Sequence, residues 1–414
     1  MRFALLIAVA AGNAFAADSP AATEILAKAS RQGDLKMVQT ILDAGFNPNL
    51  PDKYGQTALY YATAFNRLEI VQALLAHHAD PNALAGKGVG AFPGSPLEYA
   101  VSLGNLRITS MLVAAGARMD AKDPQGRTVL HYSGCRIEMT QFLIREGADV
   151  NARDSQGSSP LDLAVQSGCL DNAAILIAHG ARLNEVSGKT GATPINEAAW
   201  SGNAPLVQFL LNFNPDLGIP DRQGYRPLEN AMRMGKEDSA LLLLEAELKQ
   251  PKPREFLEHT LDTAISKDEA LLVAVLLRHG LPLNTPTLSG STPVDKAALQ
   301  GAIKVVRLLL ENNADPNSAL EDASLKGFPT IVSALLDHGA RVNQVNAGSG
   351  STALYAAASF GKADVVRLLL EHGANPSLCG SNHKSPYQAA AENGHVEIAV
   401  EILSHGGAKM CAAQ

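Results

Sequence analysis

The chain has 414 residues, of which 46% are hydrophobic and only 5% aromatic, and its formal net charge is -7. An interior rich in Ala and Leu with few large rings is expected of thin stacked helices, and it argues against a sheet-rich fold or a thick enzyme core. Acidic and basic residues are mixed along the chain, so the sequence offers no basic footprint for nucleic acid or anionic lipid.

The first residues have the pattern of a secretory signal peptide. A short positive start precedes the apolar run Phe3 to Ala11, and Ala14-Phe15-Ala16 is an A-x-A cleavage site. The apolar run is too short to span about 30 Å of hydrocarbon, so a membrane anchor is the weaker interpretation. We therefore predict that residues 1–16 are removed, and that the mature chain begins near Ala17 and does not insert into a membrane.

One short phrase recurs through the rest of the chain: Thr or Ser, then usually Pro, an apolar residue, two variable residues and a small residue. Ser95 and Thr128 begin two copies that stand 33 residues apart, and Thr352 and Ser385 begin two more with the same spacing. Further copies begin at Thr57, Ser159, Thr193 and Thr292. A fixed period in this range indicates stacked structural units and not independent domains.

Each copy leads to a Gly or Asn and then to apolar residues at i, i+3 and i+4 spacing, as in residues 301–310 and 361–373. This pattern predicts two short antiparallel helices in each unit. Thr or Ser should cap the first helix, Pro should lie in its first turn, and Gly should adopt a left-handed conformation after the second helix. Asp, Asn and Gly in the connecting segments predict projecting turns.

Four places depart from the pattern. A Gly-rich insertion at residues 85–94 predicts a finger that projects from one turn, and the helix turn near Cys135 is shortened. Pro251 and Pro253 interrupt helical continuity, which predicts a kink or hinge. Most of one turn is missing between residues 315 and 323. We expect local fraying at such units and not loss of the fold.

The phrase and the 33-residue period resemble the ankyrin-repeat family over nearly the whole mature chain. The resemblance implies an all-α repeat solenoid of about twelve units, with turns or β-hairpins at right angles to the stacked helices. We divide the chain into a signal peptide at 1–16, an N-terminal block of repeats at 17–248, a proline-containing break at 249–256 and a C-terminal block at 257–414. In the family, partners bind the hairpin tips and the concave face of the first helices.

Four cysteines in an exported chain are candidates for disulfides. Cys135 and Cys169 stand in neighbouring register in adjacent units, and so do Cys379 and Cys411. Equivalent atoms of adjacent ankyrin units lie about 10 Å apart, whereas a disulfide needs Cα atoms within about 4.4–6.8 Å, so an offset in the turn must close the gap. Pairing Cys135 with Cys169 and Cys379 with Cys411 is the one connectivity that does not span half the solenoid. The alternative is four free thiols.

The sequence contains no catalytic constellation. Residues 187–190 resemble the end of a phosphate-binding loop, but Leu183 stands where its first Gly is required. Neither H-E-x-x-H nor G-x-S-x-G occurs. Single histidines recur in separate units near the ends of second helices, where an imidazole can contact the last carbonyls: His78, His179, His279, His338, His372 and His405. We therefore predict no enzyme, no metal and no cofactor.

The positions just before the inter-helix Gly or Asn are unusually apolar for a surface. Aromatic anchors tend to concentrate binding energy in protein interfaces, and Trp200 is the only tryptophan of the chain. We predict that these residues and nearby tyrosines bind a protein or peptide partner: Tyr54, Phe65, Tyr99, Leu103, Tyr132, Trp200, Tyr225, Met234 and Phe360. The alternative is that Trp200 and Phe65 pack locally on neighbouring units.

The sequence thus predicts a monomeric, non-enzymatic scaffold that binds a protein or peptide in the bacterial periplasm or, alternatively, outside the cell. A secreted effector that targets a host protein through the same surface is the second interpretation. The side chains that would identify the partner belong to the partner and not to this sequence.

Overall fold

The computed structural model of the protein describes residues 19–83, 94–188, 190–380 and 383–409. The predicted signal peptide, nearly all of the Gly-rich insertion and Cys411 lie outside these ranges. Within them the chain forms twenty-three α-helices, one 3-10 helix and no strand. The segments that the resemblance implies as turns or β-hairpins are therefore turns in the described residues.

The helices alternate as a first and a second helix in each of twelve repeats. The first helices are α1 (Pro20–Gln32), α3 (Ala58–Ala64), α5 (Pro96–Ser102), the 3-10 helix (Val129–Tyr132), α8 (Pro160–Gln166), α10 (Pro194–Ser201), α12 (Pro227–Arg233), α14 (Arg254–Ser266), α16 (Pro293–Gln300), α18 (Ala319–Lys326), α20 (Ala353–Ser359) and α22 (Pro386–Glu392). The second helices are α2 (Leu35–Asp43), α4 (Leu68–Ala76), α6 (Leu106–Ala114), α7 (Ile137–Arg145), α9 (Leu170–Ala178), α11 (Ala204–Leu211), α13 (Glu237–Glu247), α15 (Ala270–Arg278), α17 (Ile303–Glu311), α19 (Pro329–Asp337), α21 (Ala363–Glu371) and α23 (Val396–Ser404).

The chain divides into two compact units, one of residues up to Pro227 and one of residues from Leu228 onward. In the first unit each first helix packs on the first helix of the next repeat, as α1 does on α3 and α3 on α5. The second unit repeats this arrangement with α16 on α18 and α18 on α20. Each unit is thus built as an all-α repeat solenoid, which confirms the predicted fold class.

Small and branched apolar residues fill the layer between the helices. Leu97 and Ala100 of α5 are fully buried, and so are Leu112 of α6 and Leu143 of α7. Alanine at the buried positions lets the short helices approach closely, and leucine fills the space that remains. One repeat cannot bury both of its faces, so its stability depends on the neighbours that cover it.

The predicted caps start the first helices. Ser95 caps α5, because its Oγ accepts a hydrogen bond from the Glu98 backbone N–H at 3.3 Å while the Glu98 carboxylate accepts from the Ser95 N–H at 2.7 Å. Thr292 forms the same reciprocal box with Asp295. Each cap satisfies N–H groups that the first turn of a helix leaves without a partner, which is why Thr or Ser stands at the start of most repeats.

A column of asparagines joins the turns of neighbouring repeats, and the sequence analysis did not identify it. The Nδ2 of Asn151 donates to the Gly180 carbonyl at 3.0 Å, and its Oδ1 accepts from the Arg182 N–H at 3.0 Å. The side-chain amide thus satisfies two backbone groups at the end of the next second helix. The same two bonds are made by Asn49, Asn82, Asn284 and Asn343.

Three of the predicted departures fall on described residues. The first helix near Cys135 is reduced to the four-residue 3-10 helix, so the shortening is confirmed. Helix α18 begins at Ala319 soon after α17 ends at Glu311, which confirms the missing turn. Pro251 lies in the loop between α13 and α14, Pro253 is the N-cap of α14, and both belong to the second unit. The division of the chain at 249–256 and the hinge stay predictions.

Candidate functional site

The apolar side chains named from the sequence lie where first helices end. In the first unit Phe65, Leu103 and Trp200 are 46%, 49% and 53% exposed, and we call these three residues the apolar row. Met234 and Phe360 of the second unit are also exposed. About half of each side chain in the row is therefore available to solvent, although the interior of each repeat buries its apolar residues.

Local backbone geometry positions the apolar row. Phe65 and Leu103 are the C-cap residues of α3 and α5, and Trp200 is in the last turn of α10. The chain then turns through left-handed residues, Asn66 with φ +53° and Gly202 with φ +76°. Because each turn leads directly into the second helix, a side chain one or two positions before it remains at the edge of the first-helix layer and is only partly covered.

The predicted tyrosines differ in how accessible they are. Tyr54 is exposed at the tip of a turn, whereas Tyr99, Tyr132 and Tyr225 are half-buried. The Tyr132 hydroxyl donates to the Asp123 carboxylate. Burial and this hydrogen bond raise the pKa of Tyr132 above its usual value. Its hydroxyl therefore holds the adjacent turn together, and only part of its ring faces solvent.

The structure brings two of the predicted residues together in one cleft. Tyr54 and Phe65 both line an open cleft of about 370 Å³, whose other walls include Tyr61, Arg31 and Arg67. The arginines were not among the predicted site residues. Arg31 belongs to a stripe on α1 at i, i+4 and i+7 with Glu24 and Lys28, and that spacing could have pointed to a shared face. The remaining predicted partner-binding residues are spread over five repeats, with Tyr99 and Leu103 together in the third and Tyr225 and Met234 together in the seventh.

A buried carboxyl group lies beside this face in the third repeat. Glu98 is almost completely buried, and burial raises its pKa to about 7, against the effect of the Ser95 hydrogen bond. Asp123 nearby raises the pKa further by charge repulsion. In the last repeat Gln388 makes the equivalent cap with Ser385 through a neutral side chain. The cap therefore needs an acceptor oxygen and not a negative charge.

Cys135 and Cys169 come together at the turns between first and second helices. Cys135 precedes α7, Cys169 is the N-cap of α9, and the two are joined in a disulfide with their Cα atoms 5.1 Å apart. The offset of one position between the two turns closes the distance that separates equivalent residues of adjacent repeats. The predicted pairing of Cys379 with Cys411 involves a residue outside the described ranges.

The histidines mostly contact helix ends as predicted. Nδ1 lies 2.8 Å from the carbonyl four residues earlier in His179 and in His372, and 2.9 Å from it in His338. In the second repeat this contact is made by His77 and not by His78, so the prediction for His78 is wrong. His78 occupies the position of the usual Gly, with φ +61°, and therefore ends the helix through its backbone.

Neither a metal-binding cluster nor a membrane-spanning helix is found among the described residues. They contain no group of three or more His, Cys, Asp or Glu side chains that could hold a metal ion. None of the helices in the same part of the chain combines the length and apolar character that crossing a bilayer requires.

Comparisons with known proteins agree with this architecture. A family model described as ankyrin repeats in three copies matches residues 3–85, 97–187 and 320–413, and a model of the single ankyrin repeat matches 289–320. Ankyrin repeat protein nuc-2 of Neurospora crassa is 27% identical over 49% of the chain and 20% of its own length. Transient receptor potential cation channel subfamily A member 1 of Homo sapiens is 26% identical over 70% of the chain and 21% of its own length.

Palmitoyltransferase Hip14 of Drosophila melanogaster is 34% identical over 49% of the chain and 32% of its own length. The chain thus spans a third or less of each of these three relatives. A match over this part of the Drosophila relative does not assign its enzymatic activity to the chain, because ankyrin repeats are in general non-catalytic. The repeats indicate a surface for protein–protein interaction. The chain belongs to the ankyrin-repeat family, as its 33-residue period, its helix pairs and the family models that cover most of its residues show.

Proposed function

We propose that the chain is a non-enzymatic, monomeric scaffold that binds a protein or peptide through the first-helix face and the turn tips of its repeats. The apolar row supports this proposal most directly. Phe65, Leu103 and Trp200 are about half exposed at the ends of three first helices in one unit, one or two positions before the left-handed residue. Single exposed apolar residues are normal, but three of them at the ends of first helices in one unit, two of them aromatic, fit a surface that another molecule covers.

Trp200 is the residue from which we expect the largest contribution. Large aromatic side chains in interfaces concentrate binding energy because they bury much area and lose little conformational entropy. We expect Trp200→Ala to weaken binding of the partner by about 2 kcal/mol, the threshold of an interface hot spot, which is roughly thirtyfold in Kd. The partner is first identified by crosslinking in the native compartment and mass spectrometry, and its affinity is then measured with purified chains.

Phe213→Ala is the matched control. Phe213 is also an exposed aromatic residue of the sixth repeat, but it follows the second helix α11 and not the first helix. We expect the control to bind the partner like the wild type and both variants to keep their thermal stability. Equal affinity of the wild type and Trp200→Ala would remove Trp200 from the site.

We also propose that the chain is exported and that residues 1–16 are its signal peptide. The charge, apolar run and cleavage pattern of the first residues support export. The disulfide between Cys135 and Cys169 supports it independently, because such bonds persist in oxidising compartments and are rare where glutathione keeps thiols reduced. The relatives named above are eukaryotic, so they lend no support to a bacterial periplasm as the compartment.

Two measurements test this proposal of export. Mass spectrometry of the native protein should find a mature N-terminus near Ala17. Fractionation should place the protein outside the cytoplasm, with Cys135 and Cys169 protected from thiol reagents until a reductant is added. A cytoplasmic protein that retains Met1 and reactive thiols would contradict export.

A further inference from the structure

The cleft in the first unit differs chemically from the rest of the apolar row. It lies between α1, the turn tip at residues 52–54 and the turn after α3, and its volume is about 370 Å³. A cleft of this size is large enough for a few side chains of a peptide. We call it the N-terminal cleft and define it by Glu24, Lys28, Arg31, Tyr54, Phe65 and Arg67.

Three cations of the N-terminal cleft form no salt bridge with any described residue. No salt bridge joins Lys28, Arg31 or Arg67 to a carboxylate in the part of the chain that the structure describes. Lys28 and Arg31 lie on the same side of α1, and both are exposed to solvent. Their charges are therefore available to a ligand.

Two carboxylates line the cleft, those of Glu24 and Asp52, and both already accept hydrogen bonds. Asp52 accepts the backbone N–H groups of Tyr54 and Gln56 through Oδ1, both at 2.9 Å, and the hydroxyl of Tyr61 through Oδ2 at 2.8 Å. Glu24 accepts the Lys53 N–H at 3.2 Å. Three cations line the cleft against these two carboxylates, which already accept hydrogen bonds, so the charge left for a ligand to neutralise is positive.

Contacts within the fold hold the two arginines in place. The Arg31 guanidinium lies over the Phe65 ring, 5.5 Å from its centroid. Arg67 crosses the preceding turn, where its Nε donates to the Arg31 carbonyl at 3.4 Å. Gly33 leaves room for this crossing, since a methyl group there would lie 3.2 Å from the Arg67 guanidinium carbon and would displace it slightly. Two planar guanidinium groups are thus presented beside an exposed aromatic ring.

We propose that the N-terminal cleft binds an acidic peptide segment, with neighbouring Asp or Glu side chains on Arg31, Arg67 and Lys28 and an apolar side chain on Phe65 and Tyr54. The inference rests on the proposed scaffold function and specifies the chemistry of the partner. Guanidinium groups bind carboxylates with two parallel hydrogen bonds, which suits side chains that are already oriented. The net charge of the whole chain is -7, so a long polyanion would be repelled beyond the cleft whereas a short acidic segment would not.

Fluorescence anisotropy with synthetic peptides tests the proposal. The probe is a labelled peptide Asp-Glu-Phe-Glu-Asp with Gly-Ser flanks, and its matched control is the amide peptide Asn-Gln-Phe-Gln-Asn. We expect the acidic peptide to bind at least about tenfold more tightly than the amide peptide at low salt, and to lose affinity at high salt. Equal binding of the two peptides would overturn the proposal.

Variants locate the binding on the chain. Arg31→Gln combined with Arg67→Gln should weaken the acidic peptide by about tenfold or more, and Phe65→Ala should weaken both peptides. Arg107→Gln removes an exposed arginine of the second helix α6 and should leave binding unchanged. Thermal melting checks that each variant remains folded. An unchanged affinity in the double variant, or an equal loss in Arg107→Gln, would place the peptide elsewhere and overturn the proposal.

Competition separates the peptide from other anions. Heparin and vesicles of anionic lipid should compete weakly with the acidic peptide, and strong competition by either would show general anion binding and overturn the proposal. The scaffold proposal has its own readout, the affinity of the crosslinked partner for Trp200→Ala. If that affinity falls while the acidic peptide fails to bind, only the inference about the N-terminal cleft is lost.

Discussion

Removing the disulfide between Cys135 and Cys169 should loosen two repeats and leave the rest of the array largely unaffected. We suggest Cys135→Ala combined with Cys169→Ala. Alanine is preferable to serine because Cys169 is the N-cap of α9 without a side-chain cap bond, and a serine there would add one. The fourth repeat should lose the most stability, since its first helix is only a four-residue 3-10 helix.

The expected loss of stability follows from the length of the loop that the disulfide closes. The two cysteines are 34 residues apart. A crosslink over a loop of this size removes chain entropy from the unfolded state worth about 4 kcal/mol at room temperature. In a repeat array the loss acts on the repeats that the bond joins, because each repeat contacts only its neighbours.

Hydrogen exchange of the native protein is the suitable assay, because it reports opening repeat by repeat. Amides of α7, α8 and α9 should exchange roughly a thousandfold faster in the double variant, as 4 kcal/mol predicts, while α1 to α4 change little. A reductant should have the same effect on the wild type and none on these helices in the variant. Identical exchange of oxidised wild type and variant in α7 to α9 would refute the reasoning.

Three further substitutions test the packing and the caps of the repeats, and their effect is measured as the free energy of unfolding in urea. Asn151→Ala removes both bonds to the next repeat and should cost about 1–3 kcal/mol. Glu98 binds its proton more tightly when folded, with a pKa of about 7 against 4.5, so its contribution to stability is lost as the pH rises through 7. Glu98→Gln should therefore stabilise the protein by about 1–3 kcal/mol at pH 8 and flatten the pH profile. Leu161→Ala should cost about 2–5 kcal/mol, because Leu161 is fully buried.

The helix pairs could be predicted because their signals are local. Ser95 and Thr292 cap helices that begin at the next residue, and the repeat spacing then fixes where the following pair begins. The shortened helix near Cys135 was visible for the same reason, as a change in spacing. Such features depend on residues a few positions apart, so one copy of the phrase is enough to recognise them.

Other features depend on residues of two repeats, and the sequence could not show them. Asn151 reads as ordinary turn chemistry, and only the fold brings it to the end of the next second helix. The N-terminal cleft combines Arg31 of the first repeat with Phe65 of the second. The error at His78 has a local cause, because two adjacent histidines fit the pattern and only the backbone shows that the second replaces the usual glycine.

The asparagine column has a consequence for how such a chain can change its length. Each of these amides supplies one donor to the following repeat and one acceptor for it, as Asn151 does for Gly180 and Arg182. Duplication or deletion of one complete repeat conserves this balance, whereas a deletion that removes only the turn with its asparagine leaves two backbone groups of the next repeat without their side-chain partner. Whole-repeat exchange is therefore the change in length that this architecture tolerates best.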